Sequence, residues 1–163
     1  MSMREFYLER RRAEYPVFLR VLKAVPSDRL DYKPHERSPS ARQVLWTMTG
    51  ELSSCIEVVT QRRAEWRSQA PPPFDEMLRL FEQWSNELTD LVAKLDDDSW
   101  NHVAQFYVNG KVVSEQPIGQ FLWFIHFDAI HHRGQLSAYL RPMGGRVPAI
   151  YGPSADERPV APT

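Results

Sequence analysis

The hydrophobic pattern of this chain predicts an all-α fold, a four-helix bundle with a small β-hairpin between the third and fourth helices. Three observations carry that expectation. Apolar residues recur at three- and four-residue spacing through four stretches of about 20 to 28 residues. Proline-rich or glycine-containing connectors separate the stretches. One Asn-Gly dipeptide flanked by β-branched and aromatic residues marks a tight hairpin. At 163 residues the chain reads as one domain spanning 1–163, long enough to bury roughly 70% of the surface its unfolded form exposes.

The first helix is expected over about 3–24. Phe6, Leu8, Tyr15, Phe18, Leu19 and Leu22 form its apolar face, and Pro16 reads as a kink because the pattern resumes after it. The connector holds Pro26 and Pro34, with Lys33 biased toward extended backbone by the proline that follows. The second helix is expected over about 39–66, opened by Ser38 as N-cap and Pro39 as first helical residue, with Ser40 to Gln43 as a capping-box alternative. Val44, Leu45, Met48, Leu52, Cys55, Ile56 and Val59 face inward. After the extended Ala70–Pro73 linker, the third helix runs over about 74–96 and stops near Asp96-Asp97-Asp98, acids that oppose the helix dipole at a C-terminus. The hairpin spans about 102–114 around Asn109-Gly110. A fourth helix over about 117–143 starts at Pro117 and ends at Gly144-Gly145. The tail, 144–163, reads as extended, with Val147 to Tyr151 docked and the last ten or so residues mobile.

Composition excludes several classes. Charge is balanced, 20 basic against 21 acidic residues, which argues against nucleic-acid binding by phosphate neutralisation. Arg10-Arg11-Arg12 reads as a solvated helix face. No apolar run is long enough to span a bilayer or to form a signal peptide, so a cytoplasmic protein away from membranes is expected. The single cysteine, Cys55, forms no internal disulfide and reads as packing rather than as a nucleophile.

Chemistry concentrates on the fourth helix in Asp128-Ala-Ile-His-His-Arg-Gly-Gln135. Asp128 and His132 stand one turn apart, and His131, Gln135 and Tyr139 fall on the same stripe with Phe121, Phe124 and Ile125. The cluster is therefore expected to point toward the core, where a carboxylate and two imidazoles need partners. Hydrogen bonds supply them in most proteins; a metal ion is another way. His126 and Arg133 lie on the opposite side of this helix and read as surface or dimer-contact residues, while His35 and His102 sit in or beside loops.

The segment FDAIHHRGQLSAYLRPMGGRVPAIYGP, residues 127–153, resembles the last helix and tail of the DinB-like (damage-inducible) superfamily, marked by His-x-x-His-His-Arg-Gly-Gln. More weakly, YKPHERSPSARQVLW resembles that family's entry into its second helix. The resemblance implies a bundle in which three histidines, one on the second helix and two on the last, hold a divalent metal. On this chain those positions fall on Thr47, Asp128 and His132, so two of the three are not histidine. Aspartate is a competent ligand and threonine a poor one. Glu51, one turn below Thr47 on the same face, can take its place. The candidate metal residues are thus Asp128, His132, Glu51 and Thr47, with His131 or Gln135 supporting them from behind, and the ion Zn, Ni, Mn or Fe. The competing interpretation is a lost site in which Asp128, His132 and Thr47 hydrogen-bond to one another.

Two functions follow. The first is a metal-dependent transferase that activates a small-molecule thiol, as some members of the resembling family do. The second is a non-enzymatic stress-response or binding protein. Five tryptophans and eight phenylalanines, with the family's habit of pairing through helices, add the expectation of a homodimer.

Overall fold

A computed structural model describes residues 1–157. Among them the chain forms five α-helices, a 3-10 turn over Ser27–Arg29 and one three-stranded sheet. The helices are α1 (Met3–Lys23), α2 (Ala41–Gln61), α3 (Phe74–Lys94), α4 (Asp97–Asn101) and α5 (Ile118–Leu140); the strands are β1 (Arg63–Trp66), β2 (Val103–Val108) and β3 (Lys111–Pro117). α1 and α2 each pack against both α3 and α5. The shared core holds Leu22, Leu45, Met48, Met77, Leu88, Leu122 and Leu136, all essentially without solvent exposure.

Local signals account for most boundaries. Ser2 and Ser40 cap α1 and α2 with reciprocal capping boxes to Glu5 and Gln43. α2 thus starts at the Ser40 alternative rather than at Ser38-Pro39. α1 runs unbroken through Pro16. Asn109 and Gly110 adopt φ of 51° and 72°, the left-handed pair that a two-residue hairpin needs.

Three expectations require correction. The second helix does not reach residue 66: Arg62 takes a left-handed φ of 55° that closes α2, and Arg63–Trp66 leaves as β1, parallel to β2 with Ala64 opposite Phe106. The hairpin is therefore part of a three-stranded sheet, and Arg63 stacks its guanidinium 4.1 Å from the Tyr107 ring centre. The acidic triplet is an N-terminal signal, because Asp96 accepts a hydrogen bond from the Ser99 amide and caps α4. Trp100 of α4 then lies over Gly119, where any Cβ would come within 2.2 Å of the indole. Finally, residues 154–157 are held rather than free: Asp156 pairs with Arg141 and Glu157 with Arg20. The remainder of the tail expected to be mobile, 158–163, lies outside the described residues.

No described helix is long and apolar enough to cross a membrane. Cys55 is buried, and burial raises its thiol pKa above the ordinary range, as its packing role predicts. Arg10 and Arg12 are exposed, but Arg11 is buried and donates to Ser85 and Thr89 of α3, so only two of the three arginines make a solvated face.

Candidate metal centre

The pairing of α2 with α5 brings Glu51, Asp128 and His132 together. One ligand atom from each lies within 4.8 Å of the others. His132 Nε2 is 3.6 Å from Asp128 Oδ2 and 3.9 Å from Glu51 Oε1. Both separations are too long for hydrogen bonds. The α5 pair is the i, i+4 spacing seen in the sequence, and Glu51 is the residue that α2 adds across the interface.

Burial is graded across the group. Glu51 is 4% exposed, whereas the Asp128 side chain is 39% and that of His132 18% exposed. The site thus sits at the mouth of the helix interface, with its deepest group on α2. Glu51 Oε2 is buried with no hydrogen-bond partner. Its burial, and secondarily the Asp128 carboxyl beside it, push the Glu51 pKa up to about 10. A buried carboxyl with an orphaned oxygen, beside a second carboxylate and an imidazole, is a set of donors suited to a cation.

A relay orients the imidazole. Tyr139 donates its hydroxyl to the Pro39 carbonyl at 3.2 Å, Gln135 Nε2 donates to the Tyr139 hydroxyl at 3.1 Å, and Gln135 Oε1 faces His132 Nδ1 at 3.2 Å. With its amide nitrogen committed to Tyr139, Gln135 presents only an acceptor to the ring. The proton is thereby assigned to Nδ1, and the Nε2 lone pair points at the carboxylates, as a metal-ligating histidine requires.

Of the residues singled out from the sequence, Glu51, Asp128, His132 and Gln135 come together. Thr47 makes no side-chain hydrogen bond to them among the described residues, and it lines a groove along α2. His131 is exposed and makes no hydrogen bond to the group among the described residues. The stripe is less inward than periodicity implied, since Phe121 is buried but Phe124 is 61% exposed. His126 and Arg133 are not surface residues either, being 5% and 1% exposed. Arg133 is paired with Glu14 of α1 and with the Tyr151 hydroxyl from the tail. Sequence reasoning missed both Glu14 and Tyr151, which lie 119 and 18 residues away.

Comparison with known proteins supplies the lineage. The chain is 37% identical over 57 residues to the uncharacterized protein YrdA of Bacillus subtilis, a match covering 35% of this chain and about a third, 34%, of that relative's length. Its fold is similar to that of the DinB-like protein YjoA of B. subtilis, with a TM-score of 0.66 at 16% identity over 98% of this chain and 100% of the other. A DinB-like protein from Bacillus cereus superposes with a TM-score of 0.73 at 17% identity, covering 90% of this chain and 97% of its own. The family model for DinB matches residues 1–159, and with this arrangement of helices the chain belongs to the DinB family.

Proposed function

We propose that Glu51, Asp128 and His132 hold a divalent metal ion and that the protein is a metal-dependent transferase acting on a small-molecule thiol. The observation that carries this reading is the buried Glu51 carboxyl, which meets the other two ligand groups within 4.8 Å and whose Oε2 has no hydrogen-bond partner. A lost site calls for hydrogen bonds among Asp128, His132 and Thr47. The 3.6 Å between Asp128 and His132, and the position of Thr47 in the adjacent groove, count against it.

Two carboxylates and one imidazole make a harder donor set than three imidazoles, which favours Mn, Fe or Zn over softer ions, with Ni also compatible with the imidazole. A divalent ion bound there supplies Lewis acidity that lowers the pKa of a coordinated thiol. The chain's own residues do the rest. Gln135 and Tyr139 fix the His132 tautomer, Glu51 gives up its proton on loading, and the half-exposed Asp128 leaves the outer side of the site open to a substrate.

The homodimer belongs to the same proposal. Phe6, Phe124, Phe127 and Met3 are exposed on α1 and α5, and Phe127 stacks on Trp123, which also meets Phe6. This apolar patch suits a second copy. Light scattering should give twice the 19.0 kDa chain mass; a monomer at micromolar concentration refutes it. The lone buried cysteine supports a reducing, cytoplasmic setting.

Calorimetric titration of chelator-stripped protein with Zn, Ni and Mn tests the metal site. Native protein should bind one ion per chain, Asp128→Asn should lose it, and Thr47→His should bind more tightly. No binding by native protein, with binding gained only by Thr47→His, would leave a non-enzymatic stress-response or binding protein as the reading.

A further inference from the structure

We propose that the groove along the outer side of α2 is a binding site for a small anionic molecule that carries a planar ring. It goes beyond the metal reading and does not depend on it. The groove encloses about 830 Å³, within the range of small-molecule sites. Its walls are α2, the connector before it, the segment from Glu65 to Pro71, and Trp84 of α3.

Three tryptophans line it. Trp46, Trp66 and Trp84 are all half-buried, and they converge from α2, the end of β1 and α3. Trp46 is fixed by donating its indole N–H to the Gln69 carbonyl at 3.0 Å. Trp66 lies against Gly50, where a Cβ would meet its ring at 3.2 Å. The ring position thus depends on the bare backbone of one helical glycine. Two indoles anchored in this way, with Trp84 of α3 across from α2, offer flat apolar faces to a ring.

Charge supplies the second half of the argument. Lys33, Arg37 and Arg67 border the groove, and none makes an ion pair or a side-chain hydrogen bond among the described residues. The two carboxylates in the lining are engaged: Glu57 accepts from the Glu65 amide and Glu65 from the Gly110 amide. The two connector cations also stand apart from the carboxylates. Lys33 and Arg37 lie beside the first turns of α2, while Glu57 is about 20 Å further along the helix axis from Gln43. One end of the groove is therefore positive, close to Trp46, while the stretch around Glu57 and Glu65 carries both signs, with Arg67 two residues beyond Glu65.

A single-stranded nucleic acid also needs bases stacked on aromatics and a cationic track. The carboxylates of Glu57 and Glu65 in the lining and the balanced overall charge favour a short ligand with one anionic group instead. Its anion would sit between Lys33 and Arg37 and its ring among the tryptophans.

The test uses chelator-stripped full-length protein and isothermal calorimetry with four probes: adenosine 5′-monophosphate, naphthalene-2-carboxylate, adenosine and inorganic phosphate. At least one of the two ring-bearing anions should bind saturably below millimolar. Adenosine and phosphate, each lacking one half of the pattern, should bind at least tenfold more weakly. The exposed pair Lys33→Ala/Arg37→Ala should weaken binding tenfold or more with an unchanged melting temperature. Trp66→Leu and, as a gentler change, Gly50→Ala should also weaken it. Asp128→Asn should not alter it, which separates failure here from failure of the metal site. Saturable binding of neither anion overturns the proposal. So does binding indifferent to the groove variants, phosphate binding as well as the ring-bearing anions, or an oligonucleotide binding more tightly than the mononucleotide.

Discussion

Residues 132 and 133 of α5 are chain neighbours, yet they serve two polar clusters built on opposite terms. On one side Arg133 is saturated. Its guanidinium donates to Glu14 and to the Tyr151 hydroxyl, Tyr151 donates to Glu14 at 2.9 Å, and the Phe18 ring lies 4.6 Å below the cation. On the other side His132 faces two carboxylates that it does not hydrogen-bond, and Glu51 Oε2 has no partner. A buried charge paired on every side stabilises a unique packing at best. A buried carboxylate left incomplete destabilises the chain unless a proton or a cation completes it. The contrast separates a structural cluster from one arranged for a ligand, one residue apart on the same helix.

The largest expected effect tests the saturated side. Arg133→Met removes the cation and leaves Glu14, with a side chain only 13% exposed, without its partner; the cost should be about 3 to 5 kcal/mol. Urea unfolding measures it, and a loss below about 1 kcal/mol would show that the cluster is not structural. His126 belongs to the same side. Burial first, then the Arg11 and Arg133 charges, depress its pKa from 6.5 to about 4. Its folded pKa lies below its unfolded one, so the unfolded chain binds more protons between those values. Stability is then full above pH 6.5 and falls as pH drops toward 4, by at most about 3 kcal/mol. His126→Gln should flatten that part of the stability profile measured by thermal melts.

On the unsaturated side the expected stability change is small and the functional one large. With its pKa raised to about 10, Glu51 carries a proton at neutral pH in metal-free protein. Glu51→Gln replaces one neutral group by another of similar shape, so denaturation in chelator should change by less than about 1 kcal/mol. The same variant should lose metal binding. Native protein should release a proton on loading, read from calorimetry in buffers of different ionisation enthalpy. A loss of several kcal/mol in the variant would mean that Glu51 is ionised and internally paired, and the contrast between the clusters would collapse.

What the sequence made legible follows from which forces are local. Helical periodicity placed α1, α3 and α5 within a few residues, and Asn109-Gly110 marked its turn, because apolar stripes and positive φ are written in adjacent residues. β1 was missed because Arg63-Ala-Glu-Trp66 has no strand signal of its own; it exists through a parallel pairing with residues about 40 positions away. The site shows the same division. Asp128, His132 and Gln135 are one helix face and could be read together, and Glu51 followed from its spacing to Thr47. The inward or outward sense of the α5 faces could not be read, since both sides carry aromatic and polar residues. Burial of Arg133 and His126 is decided by Glu14, Phe18 and Tyr151, partners that no local pattern names.

The smallest effect concerns how the His132 ring is held. Gln135→Ala breaks the relay that links Nδ1 to Tyr139 and Pro39. All three hydrogen bonds are only partly buried, so stability should fall by less than about 1 kcal/mol. Without an acceptor at Nδ1 the imidazole populates both tautomers and several ring orientations, and Nε2 no longer faces Glu51 and Asp128 in every molecule. Metal affinity should drop by about tenfold, the lower end of what outer hydrogen bonds to ligating histidines contribute. Gln135→Glu, which keeps an acceptor and strengthens it, should retain or exceed native affinity. Nitrogen-15 shifts of the His132 ring report the tautomer directly: native protein should show a protonated Nδ1, and Gln135→Ala a mixture. If the alanine variant binds metal as tightly as native protein, the imidazole is positioned by packing alone and the relay is a structural link between α5 and the connector before α2.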